Sequence, residues 1–336
     1  TALLAENIPN SILRSIEGSF DPTYAGFGTQ QKFPHVSVME FLLASYRRTG
    51  NTNYLDMVLR TLDAMRIGGI YDSVEGGFFR YSTTRDWSIP HYEKMLEDNT
   101  GLMSIYTQAY SVSGDEKYLD VAKSIINYIE NNLMDEHSGA FYGSQDADEE
   151  YYRPKDARKE RTPPSVDKTI YVNWNGMAID AYLRVYEATS DRSYLDRALR
   201  ALDFIVRICR NGSFCHYYTN DQYEFGLLTD QIWAGTALLR AYECTGDKRY
   251  LQIAKETADS IMDDYADPHG GFFDVTDERM KSEGLPYREK LVDENSQVAR
   301  FMDRLSYYTH ESAYRRSAEA ALRVLTGAYE SYGILA

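Results

Sequence analysis

The sequence predicts an all-α domain, a closed (α/α)6 toroid of helical hairpins. Three observations carry that reading. Five segments align without a gap, starting at His35, Asn99, Asn175, Gln231 and Asn295, and each begins nineteen residues before a shared Tyr: Tyr54, Tyr118, Tyr194, Tyr250 and Tyr314. One turn type recurs before that Tyr, in TGNTNYL, SGDEKYL, TSDRSYL, TGDKRYL and the degenerate THESAYR. The connections between segments are longer, and each carries a Gly-aromatic element. Self-similarity at this period reports architecture before chemistry.

Each element follows from its pattern. The stretch Ile8 to Phe20 reads as one unpaired helix. In the Asn99 segment, Leu102, Ile105, Tyr106 and Ala109 form an apolar stripe at helical spacing, and after the turn Tyr118, Leu119, Ala122, Ile125, Ile126 and Ile129 form another. Every segment is therefore a helix, a tight turn and an antiparallel helix, with Asp115 and Asp247 placed to cap second helices. The total is eleven helices, one short of six hairpins, and the missing one is an inner helix. The elements AGFGTQQKFP, GGFFRYSTT, SGAFYGSQDAD, NGSFCHYY and GGFFDVT suggest short β-hairpins or extended arms. All of them emerge at one end of a closed ring, at the N-termini of the inner helices, and the working face belongs there. A superhelical stack is the alternative architecture; uneven spacing between copies and elaborate loops on one side favour the ring.

Composition narrows the function. The chain has 336 residues and a formal charge of −15, which disfavours nucleic acid and anionic membrane as partners. No apolar run is long enough to span a bilayer and no secretory leader is visible, and three sparse cysteines (Cys209, Cys215 and Cys244) without a CxxC fit a reducing cytoplasm. Cys209 and Cys244 fall at apolar positions of predicted helices, as buried, inert thiols do. Phosphate-loop, HExxH and GxSxG motifs are absent. Nothing in the sequence calls for a metal or a cofactor. The 29 tyrosines suit both core packing and a cleft for hydroxylated ligands.

Candidate site residues gather at the loop face. His35, Asn99, Asn175, Gln231 and Asn295 open the inner helices, with Asp98, Asn173, Asp230 and Glu294 beside them. Helix capping explains such residues for Asn and Asp; a shared ligand pocket, fed by several positive helix ends and suited to an anionic or polyhydroxy ligand, also does. The segment from Gly68 to Asn99 is the densest, with Arg80, Trp87, His91, Glu93, Lys94 and Asp98 on one arm. On it Asp98, His91 and Glu93 are candidate acid–base groups, and Asp146 of the acidic knot Gln145 to Asp148 is a fourth. Salt bridges that merely pin the arm are the competing explanation. Arg80, Trp87, Asn99, Asp148, Trp174, Asn175, Asp230, Asn295 and His35 are candidate substrate contacts, with Trp233 a third ring near an inner-helix start.

GFGTQQKFP (26–34), GGIYDSVEGGFFRYS with DWSIPHYEKMLEDN (68–99), FYGSQDAD (141–148) and NWNGMAIDAY (173–182) resemble the thioredoxin-domain-containing family of spermatogenesis-associated proteins. The resemblance implies a toroid of the six-hairpin glycosidase type preceded by a thioredoxin-like domain, and kinship of fold with N-acylglucosamine 2-epimerases and unsaturated glucuronyl hydrolases. It also implies that residues 1–336 are one toroid domain, a fragment lacking the upstream thioredoxin-like domain and the last inner helix. Phe79 stands where relatives carry His, and Glu97 where they carry Tyr. Two functions stay open: a carbohydrate hydrolase or epimerase, with His35 and His91 as the epimerase pair, or a non-catalytic module presenting a ligand or client to the thioredoxin-like domain. A purely structural module is a third, weaker possibility.

Overall fold

The computed structural model describes residues 7–153, 158, 160–208, 213–219, 222–326 and 333–334. A ring of helical hairpins forms as the repeat predicts. After α1 (Ile8–Ser19), the hairpins are α2 (Val36–Thr49) with α3 (Thr52–Ile67), and α4 (Leu96–Ser113) with α5 (Glu116–Tyr128), which runs on as a π turn through Leu133. A short α6 (Glu149–Tyr152) precedes α7 (Val172–Thr189) with α8 (Arg192–Ile208), and α9 (Leu228–Thr245) with α10 (Lys248–Asp264). A short α11 (Asp277–Glu283) precedes α12 (Val292–Thr309) with α13 (Ser312–Leu325). Helices α2, α4, α7, α9 and α12 pack in succession as the inner layer. The inner α4, α7 and α9 are buried on nearly every side, whereas the outer partners carry one buried stripe each. The stretch near Tyr332, where a last inner helix is expected, lies outside the described residues, as does Cys209.

The turns obey the sequence. Asp115 and Asp247 cap α5 and α10 by accepting the N–H of Lys117 and Arg249. Inner helices α2, α4 and α9 end on Gly50, Gly114 and Gly246 in the left-handed conformation, and Ser190 takes that conformation after α7.

The strands cluster at the other end. Strand β1 (Tyr81–Ser82) pairs with β2 (Pro90–His91); β3 (Lys94–Met95), β4 (Ser144–Gln145) and β5 (Val166–Asp167) form one small antiparallel sheet, and β6 (Ile170–Tyr171), β7 (Cys215–Thr219) and β8 (Gln222–Phe225) another. Strands β3 and β6 run straight into α4 and α7. Four Gly-aromatic elements close as tight loops with one bridging pair each: Phe20 with Phe27, Tyr71 with Phe78, Met134 with Phe141 and Ala266 with Phe272. An Asp opens each loop and accepts the N–H two residues on: Asp21, Asp72, Asp135 and Asp267. In three of them a lysine ammonium then joins that Asp to a loop carbonyl, from Lys32, Lys94 and Lys290. Lys32 and Lys94 are fully buried, so these ion pairs fix the loop face firmly.

Candidate functional site

The residue that opens each aligned segment has a structural task. Asn99, Asn175, Gln231 and Asn295 are fully buried. Each amide oxygen accepts the N–H of a loop phenylalanine, from Phe78, Phe141, Phe214 and Phe272, at 2.7–2.9 Å. Each amide nitrogen donates to the carbonyl of that same phenylalanine and to the carbonyl four residues back, that of Met95, Tyr171, Leu227 or Leu291. The side chain thus pairs with a peptide group, and both of its N–H donors are spent inside the protein. Asn99, Asn175 and Asn295, expected as substrate contacts, are loop clasps instead. They are not caps either, since each sits inside the first turn of its helix. Gly77 shows how close the fit is: its φ is +73°, and a Cβ there would meet the Tyr128 ring at 2.7 Å and Asn99 Oδ1 at 3.0 Å.

His35 is the copy that departs from the amide type. Its backbone is left-handed (φ 47°), its ring lies 6.3 Å from that of Phe27, and it lines a cavity at the centre of the ring. The cavity measures about 390 Å³ and touches all five inner helices. Its walls fall in tiers. At the mouth stand Phe33, Glu97 and Asp293, with Asp98 one residue deeper. Ser37, Gly101, Met177, Trp233 and Gln297, each two residues after the clasp position, form the middle. Glu40, Ser104, Asp180, Thr236 and Arg300, each five after it, form the floor, with Arg184 below. Seven residues from mouth to floor correspond to ~10 Å of helix.

Charge in the cavity is partly spent. Asp180 is held ionised, well below the usual carboxylate range: burial opposes this, but the guanidiniums of Arg184 (2.7 Å) and Arg240 prevail. Glu40 pairs with Arg300 at 3.4 Å, linking α2 to α12. His35 is kept neutral by burial, with nearby Lys32 acting in the same sense. Asp98 differs. Burial, reinforced by Glu97 and Glu93 against Arg80, pushes its carboxyl up to about 7, and its Oδ2 is buried without a hydrogen-bond partner. Asp230 and Glu294, at the same repeat position, are raised by burial to about 6 and about 8, each again with one unpartnered oxygen. Asp230 lies off the cavity wall, where its Oδ1 accepts the Asn173 N–H and meets His216 Nδ1, both at 3.2 Å. The positive ends of α4, α9 and α12 thus carry the protein's own carboxylates in their first turns, and Asp230 also accepts an N–H at the start of α7.

The remaining expectations divide. Glu93 forms a salt bridge with half-exposed Arg80 at 3.2 Å and lies outside the cavity, as His91 does. His91 stacks on Tyr81 at 5.1 Å. Asp146, just past the pairing of Lys94 with Gln145, accepts from Ser165, while Asp148 caps α6. Neither joins Asp98 at the cavity. Trp87 is a core residue, with φ +64° and an indole N–H that donates to the Tyr24 carbonyl; Trp174 packs on Tyr171 at 4.6 Å. Trp233 is the indole that faces the cavity. Sequence reasoning overlooked Asp293, Asp180, Arg184, Arg300 and Gln297; for Gln297, Asp180 and Arg300 the signal is position, since two and five residues past the clasp lie on one helical face. Among the described residues no three His, Cys, Asp or Glu side chains converge as metal ligands, and no helix is long and apolar enough to cross a membrane. Half-buried Cys244 has its thiol pushed up to about 12 by burial and by Glu187, so it is unreactive.

The ring of helical hairpins is shared with known proteins. The family model of glycosyl hydrolase family 76 matches residues 144–327, more than half of the chain. The chain belongs to this family. It is also 43% identical over 148 residues to spermatogenesis-associated protein 20 of Mus musculus, a match covering 43% of this chain and 19% of that protein. The chain therefore spans about a fifth of the length of this relative. Cellobiose 2-epimerase from Bacillus thermoamylovorans B4167 superposes with a TM-score of 0.79 at 14% identity, over 96% of this chain and 85% of that one. The family 76 α-mannanase BT2949 of Bacteroides thetaiotaomicron gives 0.68 at 13% identity, over 95% and 83%. At such identities the superpositions establish the (α/α)6 toroid and nothing finer.

Proposed function

We propose that this family 76 domain binds a saccharide in the mouth of the toroid and hydrolyses a glycosidic bond there, with Asp98 as general acid. The observation that carries the reading is the state of Asp98: a carboxyl raised to about 7, with an unpartnered oxygen, on the wall of a cavity that also holds Glu97 and Asp293. A carboxyl that keeps its proton near neutral pH can give it to the leaving oxygen of a glycoside. Asp293, reaching in from α12, is the second carboxylate. It attacks the anomeric carbon if the two carboxyls stand about 5–5.5 Å apart, and activates a water if they stand about 6.5–9.5 Å apart. Epimerisation needs a second base across the sugar, and of the expected pair His35 lines the cavity whereas His91 does not. That favours hydrolysis.

Glu97 and Asp293 stand at the mouth with no salt bridge among the described residues, and burial raises the Glu97 carboxyl. Neutral or amino sugars therefore suit the site better than uronic acids, which the carboxylates repel. In the longer relatives the domain would work beside a thioredoxin-like domain, in the cytoplasm.

The test is release of reducing ends from a panel of neutral, amino and uronic oligosaccharides by the wild-type chain and by Asp98→Asn. Release by wild type, lost in a folded Asp98→Asn that still binds the sugar, supports hydrolysis. Binding with no release from any saccharide moves the domain to the binding-module role, presenting a ligand to its neighbour.

A further inference from the structure

Phe33 sits at the cavity mouth in an unusual setting. It is 37% exposed, it lines the cavity, and one face of its ring is covered by Tyr81, with centroids 4.7 Å apart and planes 21° apart. Tyr81 is covered in turn by His91, at 5.1 Å and 10°. The three rings form one stack that runs from the β1–β2 arm to the cavity and ends on Phe33.

The stack is rigidly mounted. Tyr81 and His91 are cross-strand partners in β1 and β2. Lys32, next to Phe33, exchanges both backbone hydrogen bonds with Ser82, next to Tyr81, at 2.8 and 2.9 Å. The Lys32 ammonium is buried against Asp21, which also takes a bidentate contact from Arg85. A large ring at a mouth, backed by two others, flanked by the His35 ring at 6.1 Å and anchored by a buried ion pair, is an ordered, partly exposed apolar surface at the cavity mouth. Such preorganisation lowers the cost of binding.

We propose that this surface is a second sugar subsite. A pyranose ring lies against the face of Phe33 turned away from Tyr81, while its neighbour in the same saccharide occupies the cavity beside Asp98. The inference rests on reading the cavity as a saccharide site, and it deepens that reading: the substrate has at least two rings, and the ring over Phe33 offers a C–H face. Aromatic faces attract C–H edges because the π-cloud is negative, and a polar ring with an apolar face satisfies this without losing its hydroxyls to a dry pocket. Continuity with the cavity wall supplies the occupant. Phe33 borders the space that holds the first ring, and Trp233 stands on the third inner helix round from α2. In this arrangement His91 supports the back of the stack and takes no part in proton transfer.

The experiment measures dissociation constants for mannose, mannobiose, glucose and cellobiose on the full chain, in wild type, Phe33→Ala and Phe33→Trp, with melting curves to verify folding. The expected result is a loss of about 10-fold in disaccharide affinity in Phe33→Ala. Monosaccharide affinity stays within about 2-fold and Phe33→Trp restores the disaccharide, as a stacking contact requires. If hydrolysis is measurable, the same substitution raises KM and leaves kcat in place. Equal losses for mono- and disaccharides, or no loss for either, overturn the subsite while leaving the cavity reading intact. No binding of any of the four sugars to wild type overturns both.

Discussion

Asn99 and Asp98 are chain neighbours with opposite circumstances. Asn99 is sealed in the protein with its amide paired to a loop peptide, as Asn175, Gln231 and Asn295 are. Asp98 keeps one oxygen without a partner and holds its proton to about pH 7. The polar position that opens each repeat therefore builds the mouth, and the position before it, which varies from Pro34 to Trp174 to three acids, is where chemistry can be placed. Self-similarity in a repeat protein points first to the joints of the scaffold. Function has to be sought one residue away from them.

The largest effect expected from breaking this contrast is on turnover. Asp98→Asn keeps the shape and removes the proton donor, so kcat/KM for a hydrolysable saccharide falls by about 100- to 10,000-fold, read as initial rates. Asn99→Ala is expected to fail differently. It removes three hydrogen bonds and leaves the peptide of Phe78 buried without partners, a cost of about 2–5 kcal/mol that shows as a lower urea midpoint. Asn175→Ala and Asn295→Ala should behave alike, since their bonding is the same.

The pH dependence of stability sharpens the contrast further. The folded pKa of Asp98 is raised from 3.8 to about 7. The fold favours the protonated form, so the stabilisation this carries is complete below about pH 4 and lost as pH rises through about 7. Asp98→Asn imitates the protonated form. Its melting temperature should exceed that of wild type by a few degrees at pH 8 and match it near pH 4, read by calorimetry. Arg80→Gln gives the smallest effect. It removes the cation that opposes this shift, and because Arg80 is half exposed the apparent titration of Asp98 rises by only about half a unit, read from the pH–rate profile.

The ring of hairpins, the caps at Asp115 and Asp247 and the gathering of the long loops at the inner-helix N-termini were all legible in the sequence, because helical periodicity and turn chemistry are local. The clasps were not. Each amide pairs with a phenylalanine upstream across an insertion of different length, from Phe78 to Asn99 or from Phe141 to Asn175, and no fixed spacing announces such a pair. The cavity wall was half legible. Gly101, Met177 and Trp233 look like core residues in a helix buried all round, and only the ring's closure shows that this face meets open space. Trp87 was misplaced because its positive φ turns the indole into the core beneath Gly26 and Gly68, a backbone state that an ordinary Asp-Trp-Ser string does not announce. His91 and Glu93 belonged to the arm that carries the stack and the salt bridge, so their density marked a support for the mouth.

The most direct test of the central claim is the pH dependence of kcat/KM for saccharide hydrolysis by the wild-type chain. The account predicts an alkaline limb with a midpoint near 7, set by Asp98, and Asp98→Asn reduced to a low residual rate without that limb. Hydrolysis by Asp98→Asn at the wild-type rate and with the same alkaline limb would contradict it.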